Sequence, residues 1–515
     1  METEPSEPVV PTAPPGAAAP PRRPVLERIV RIGVLVGLAM RIWEYSDLRS
    51  LYIDEAALLT NLVDVPVFDF GHILKQDQLA PPGFLVVERL LVRLPIPVEA
   101  SGRLFPLLCG LASMLLIAPL ARRYLDRLAV PIAVWMLALA DHLIYYSAEI
   151  KPYTCDLIGA MATLLLAVPP GSAGPSRRRL AALAAWGVVA PWFSFPVVFV
   201  LAGVGLHLIV RAWRADGARG AARAVAVCGG WFISFLGCFF VSRAIVSKGD
   251  FLWTWWNFSF LPIPPRSWVD ARFTIETVAN VFINPGSVLT PFGFISTAIL
   301  ASALAFAGAF SLGRRWRGGL FVLLTPLLLH LAASALRQYP FHGRLILSLV
   351  PTYHLLLAEG MAAVGRASRP WATLVLALAF VGGQAGDIFW NQMVMPRSRS
   401  RPFDTHGDLK NDLLDDLDFR RKIKPKTPEA VPLGLHEPGR SSFSPPWEKV
   451  AGGRMRGSSS DADLLTAQGR TGFEVRGSGI GIPLIRPCGP PSTTRGEGRS
   501  ATASTLVPSH PATAG

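Results

Sequence analysis

Of the 515 residues, 51% are apolar and only 17% are Asp, Glu, Lys or Arg, against about a quarter charged in an ordinary soluble protein, and the mean hydropathy is +0.38. This excludes a soluble globular enzyme and predicts an integral membrane protein. The net charge of +14 sits in short Arg clusters between apolar runs, so it marks membrane topology and not a nucleic-acid surface.

Residues 1–24, rich in Pro and Ala, are expected to be a disordered leader. The first apolar run, 29–45, reads as a signal anchor, because no small-residue cleavage site follows it. Further spans are predicted at 104–120, 130–146, 153–168, 225–244, 291–312, 320–336, 345–364 and 371–389. The run 180–210 is too long for one crossing and is interrupted by Pro191 and Pro196, which predicts a tight helical hairpin. The stretch 82–94 is short and carries Glu88, Arg89 and Arg93, so it reads as an amphipathic helix on the outer surface.

With those choices the chain is an all-α polytopic membrane protein of about eleven crossings. The basic loops at 122–127, 177–179, 211–223, 314–317 and 366–369 then all face the cytoplasm. A transmembrane domain spans 25–390. The remainder, 391–515, is rich in Pro, Gly, Ser and charge, and is expected to be a mostly disordered extracytoplasmic tail, the composition of its last hundred residues compatible with an altered reading frame. The five cysteines, Cys109, Cys155, Cys228, Cys238 and Cys488, show no metal-ligand spacing, and an odd number cannot all pair within one chain.

On this topology the least generic residues share the outer face: Asp54 and Glu55, the turn 149–153, the loop 248–289 and the segment 339–344. A carboxylate at the bilayer centre costs roughly 2.5–3.5 kcal/mol on insertion scales, so the adjacent pair Asp54–Glu55 belongs at an aqueous surface. Two crowded like charges also push their proton affinities apart. A solvated turn or a helix N-terminus is the bland alternative.

Arg41, the run Ser50-Leu51-Tyr52-Ile53-Asp54-Glu55-Ala56, then Ala80-Pro81-Pro82-Gly83-Phe84 and Arg103-Leu104-Phe105-Pro106 follow one another in order. They are joined by Tyr146-Ser147-Ala148-Glu149-Ile150-Lys151-Pro152-Tyr153 with Asp156, and by Tyr339-Pro340-Phe341-His342-Gly343-Arg344. This set resembles the GT-C membrane glycosyltransferases, and within them the family 39 branch of protein O-mannosyltransferases and aminoarabinose transferases. The resemblance covers 29–390 and implies a GT-C helical bundle in the plasma membrane. It also implies transfer of a sugar from a polyprenyl-phosphate donor to a lipid, glycan or protein acceptor on the extracytoplasmic side. By the same resemblance Asp54 is the general base, Glu55 its positioning or acceptor-binding neighbour, and no metal is obligatory, although a divalent metal is not excluded. In one departure, the aminoarabinose branch has Lys directly before the Pro-Pro pair, where this chain has Ala80.

Such a reaction needs a carboxylate to take the acceptor proton, cations for the leaving phosphate and a groove for a prenyl tail. Lys151 and Arg344 are the first choices for the phosphate, Arg103 and Arg41 the second; snorkelling to lipid headgroups is the alternative for each. Glu149, Tyr153 and Asp156 are candidates for substrate contact, with an ion pair from an acid to Lys151 as the alternative for the turn. Tyr339 is either a substrate contact or an interface anchor, and His342 either a proton shuttle or structural. The aromatic loop with Trp253, Trp255, Trp256, Phe258, Phe260 and Trp268 is a headgroup belt or a wall over the site. P-loop, Rossmann, zincin and nucleophile-elbow motifs are missing. The rival class is a polytopic transporter or flippase, against which the chain shows no internal inverted symmetry.

Overall fold

A computed structural model describes residues 24–49, 51, 53–63, 65–168, 177–246 and 251–391. The leader up to residue 23, Tyr52, Lys248 and the tail beyond Asn391 lie outside the described residues. Within them the chain is helical, without a strand: α1 (Pro24–Ser46), α2 (Ile53–Val63), α3 (Pro82–Leu91), α4 (Val98–Tyr124), α5 (Ala129–Ala138), α6 (Asp141–Tyr146), α7 (Tyr153–Ala167) and α8 (Arg177–Val189), then α9 (Val197–Ile245), α10 (Phe251–Trp255), α11 (Trp268–Asn280), α12 (Phe294–Arg315), α13 (Arg317–Ala335), α14 (Val350–Ala367) and α15 (Pro370–Phe389).

Among the described residues six segments are long and apolar enough to cross a bilayer: α4, α9, α12, α13, Gly343–Ala367 and α15. The protein is therefore an all-α, multi-pass membrane protein. The expected eleven crossings go beyond these six. The run 130–146 is split into α5 and α6 by extended backbone at Ala140, and α7 has only 15 residues, about 22 Å at 1.5 Å per residue.

The run 180–210 breaks where its prolines stand, at Ala190–Trp192 and Pro196. The long α9 also reverses, at Gly217 (φ 59°). A Cβ on Gly205 would touch Cys228 and Trp231, which a straight helix would hold more than 30 Å away. Trp231 donates to the Ala184 carbonyl, Ser234 to Val188 and Cys238 to Pro191. Rising numbers pair with rising numbers, so α8 runs parallel to the second arm of α9 and opposite to the first.

α14 lies almost wholly inside the bundle. It meets α12 so closely that a Cβ on Gly360 would overlap the Leu304 carbonyl, and one on Gly308 the Leu356 carbonyl; small residues permit such backbone approach within a membrane. The second arm of α9 turns Phe232, Ile233 and Phe240 outward, each more than half exposed, as a lipid-facing surface requires.

α3 departs from the expected surface helix. Glu88 and Arg89, assigned to its solvent side, are buried together with Phe84 and Leu85. Arg89 is drawn inward by the carbonyls of Pro66 and Asp69 (3.4 and 2.8 Å), and Arg93 donates to the Val65 carbonyl (2.8 Å). The short helix thus fastens the loop 65–81 and does not lie free on the membrane.

Candidate active site

Asp54 and Glu55 occupy the first turn of α2. Consecutive helical residues point about 100° apart, and this offset gives the two carboxylates opposite surroundings. Glu55 turns inward and is completely buried. Arg103 on α4 grips it at two points, Nε to Oε1 and Nη2 to Oε2, both 2.9 Å. The Ile150 N–H donates to Oε1 (3.1 Å), and Arg49 Nη1 stands 3.7 Å from Oε2. Arg103 also donates to the Arg49 carbonyl (2.6 Å), and Arg49 to the Ala148 carbonyl (2.7 Å), with its guanidinium 4.0 Å above the Tyr145 ring. This knot ties the end of α1, α2, α4 and the turn 147–152 together. Both Glu55 oxygens are therefore taken up by Arg103 and the chain around it.

Asp54 stays partly exposed. Its Oδ2 accepts from Arg344 Nη2 at 2.8 Å, and the two side chains remain 22% and 27% exposed. Arg344 is set between two ring faces, with Tyr153 and Trp256 centroids 5.5 and 5.8 Å from its guanidinium carbon. The Lys151 ammonium, which donates to Gln78 Oε1 (2.6 Å), completes the cluster. Burial pushes the Asp54 carboxyl up, but the cations of Lys151 and Arg344 and the hydrogen bond from Arg344 outweigh it and hold it below its ordinary value. Asp54 is ionised throughout the neutral range.

Glu149 behaves oppositely. Burial, then the nearby Glu55 charge, push it up to about 7 against the pull of Arg344, Arg49 and Lys151. Its Oε2 is buried without a hydrogen-bond partner. Lys151 is lowered chiefly by burial, with Arg344 adding to it and Asp54 opposing.

The other sequence candidates divide. Tyr153 belongs to the cluster through Arg344 and packs edge-on against Tyr146 (5.1 Å). Asp156 is one turn further along α7, bonded to Ser194 and with a buried Oδ1 lacking a partner. His342 packs against Phe258 and Trp256 (5.2 and 6.1 Å), and burial followed by the Arg344 charge lowers it, which leaves the ring neutral. Arg103 is committed to Glu55, not free for a phosphate. Arg41 is fully buried and donates to the Gly37 and Leu137 carbonyls (2.9 and 3.1 Å). Tyr339 is no interface anchor: its hydroxyl donates to the Leu345 carbonyl (3.0 Å) and its ring packs on Phe199 and His330.

Sequence reasoning missed Arg49, whose place five residues before Asp54 was a usable signal, and Gln78, which carried none. Among the described residues no group of three or more His, Cys, Asp or Glu side chains is arranged to hold a metal ion.

The fold and the cluster together define a multi-pass helical membrane protein with a carboxylate–guanidinium site at one end of its bundle. No family model and no curated relative matches the sequence. Among solved structures, the chain is similar to the Archaeoglobus fulgidus oligosaccharyltransferase in complex with Zn and sulfate (TM-score 0.45, 12% identity, 81% of this chain and 59% of that one). The apo form of the same protein gives a TM-score of 0.46 at 13% identity, over 82% of this chain and 62% of that one. The archaeal oligosaccharyltransferase AglB from Archaeoglobus fulgidus, in complex with an inhibitory peptide and a dolichol-phosphate, gives 0.40 at 12% identity, over 82% and 61%. The chain spans about six-tenths of the length of these proteins.

Proposed function

We propose that the protein is a membrane glycosyltransferase of the GT-C type, which moves a sugar from a polyprenyl-phosphate carrier to an acceptor hydroxyl on the extracytoplasmic face. The observation that carries this reading is the partly exposed Asp54–Arg344 ion pair with Lys151 beside it. A base and two phosphate-binding cations stand in one cluster, at the end of the bundle where the polar motifs of the sequence gather.

The pair is also the chemical trigger. An arriving phosphate competes for the Arg344 guanidinium, which binds a planar pair of oxygens well. Asp54 then loses a cation and gains a nearby anion, and both changes raise its proton affinity. The acceptor hydroxyl gives its proton to Asp54 as its oxygen bonds to the anomeric carbon. The carbon–oxygen bond to phosphate breaks, and the phosphate leaves held by Arg344 and Lys151. Tyr153 and Trp256 keep Arg344 aimed, and in this reading Glu149 and Asp156, each with an unfilled oxygen, accept from sugar or acceptor hydroxyls. The aromatic segment with Trp256 and Phe258 walls the site.

The test supplies membranes containing the chain with labelled polyprenyl-phosphate sugars and follows label into acceptors. Transfer by wild type and its loss in Asp54→Asn support the reading; equal rates overturn the assignment of the base. Solute transport without transfer favours the flippase class. Reporter fusions at Asp216 and Gly407 are expected to report opposite compartments.

A further inference from the structure

Beside the site, α4 and α7 meet through two thiols. Cys109 and Cys155 are 6% and 2% exposed, neither is in a disulfide, and their sulfurs lie 3.7 Å apart. The two helices are held in register at that level by Thr154, whose hydroxyl donates to the Pro106 carbonyl at 3.0 Å. Along α4, a Cβ on Gly102 would touch Ile150 and one on Gly110 would touch Ser147, so α4 also packs closely on the turn that leads into α7. A disulfide requires its sulfurs at about 2.05 Å. The remaining gap between the two sulfurs is under 2 Å.

We propose that Cys109 and Cys155 form a redox modification site, joined in one state of the protein by a disulfide that staples α4 to α7. The oxidant is an incoming disulfide. One cysteine sulfur attacks it and displaces a thiol; the second attacks the mixed disulfide and displaces the other. Two S–H bonds are lost, one S–S bond forms between Cys109 and Cys155, and the oxidant departs as two thiols with the two protons. Because both sulfurs are buried and buried thiols react slowly, the reaction belongs to opening motions of the chain or to its assembly. The staple ties the turn that presents Glu149 and Lys151 to the helix that carries Arg103, but its existence does not depend on the transferase reading.

The test uses the full-length protein in two arms: thiols trapped with N-ethylmaleimide at the moment of membrane isolation, and protein in detergent micelles incubated with oxidised glutathione. Each sample is denatured, tagged with a maleimide polymer with and without prior reduction, and peptide-mapped. A Cys109–Cys155 linked peptide in either arm, with two tags lost per chain and regained on reduction, is the expected result. Cys109→Ala leaves Cys155 tagged throughout. The linked form also melts higher than the reduced form, by roughly 5 °C for a closed loop of this size, and this shift is missing in Cys109→Ala. Both cysteines still free after both arms, or Cys155 linked only to glutathione or to another cysteine, overturns the proposal.

Discussion

The two ends of the helical bundle each bury a carboxylate among arginines, yet they treat it differently. At one end Glu359, completely buried on α14, has both oxygens filled: Oε1 accepts from Ser311 and Arg366 (both 2.9 Å), and Oε2 from the Asp126 N–H (2.9 Å), with Arg315 at 3.5 Å. Arg366 reaches Asp126 as well (3.2 Å), and Arg315 donates to the Tyr124 carbonyl. At the other end Glu55 is satisfied in the same manner, but beside it stand Asp54, partly open to solvent, and Glu149, with an unfilled oxygen. Buried polar groups are nearly always paired, and the exceptions ask for a reason. A filled cluster fastens helices; one with an unfilled acceptor and a partly exposed ion pair is the better candidate for binding.

The sharpest way to break that contrast is to remove one acid at a time. Asp54→Asn is expected to lower transfer on the order of 10³-fold while stability changes by less than about 1 kcal/mol, since the ion pair it breaks is partly exposed. Arg344→Lys keeps the charge but loses the planar fork, and is expected to cost roughly 10- to 100-fold in transfer. Glu359→Gln and Glu55→Gln should show the reverse pattern. Glu55→Gln leaves the buried Arg103 guanidinium uncompensated and costs about 3–5 kcal/mol of stability, whereas Glu359→Gln, whose partners Arg366 and Arg315 are 37% and 41% exposed, costs roughly 1 kcal/mol, each read as a fall in melting temperature in micelles. Transfer per folded molecule should stay near wild type for Glu359→Gln. A Glu359 variant that melts normally but transfers poorly would reverse the assignment of the two ends.

Much of the closed architecture was legible in the sequence because apolar length and proline position are local signals. Pro191 and Pro196 marked the break before α9, and runs such as 371–389 gave α15 nearly to the residue. The motifs also brought Asp54, Lys151, Tyr153 and Arg344 into one place, although 290 positions separate Asp54 from Arg344. What failed depended on partners. No pattern in the sequence says that Arg103 will take Glu55 and not a phosphate, or that Arg41 will spend its donors on two carbonyls. Arg89 was read outward from composition, whereas the loop 65–81 offered it carbonyls and drew it in. Ion pairs between distant segments become readable only after the helices are packed.

The comparison can be sharpened last, and with the smallest effect, through pH. Glu149 has a folded value of about 7 against an ordinary 4.5, so between those values the folded chain binds more protons than the unfolded one. Stability then falls as pH rises from about 4.5, and levels off once the folded group has ionised above 7. At about 1.4 kcal/mol per unit the loss is at most roughly 3 kcal/mol. Glu149→Gln carries no such titration. Its melting temperature should fall less than that of wild type between pH 5 and pH 8, and at pH 8 the variant should be the more stable of the two. Glu359→Asp, which keeps a carboxylate in the filled cluster, should follow the wild-type slope. Parallel pH curves for wild type and Glu149→Gln would mean that water or another group already fills the open oxygen, and the distinction between the two ends would then rest on Asp54 alone.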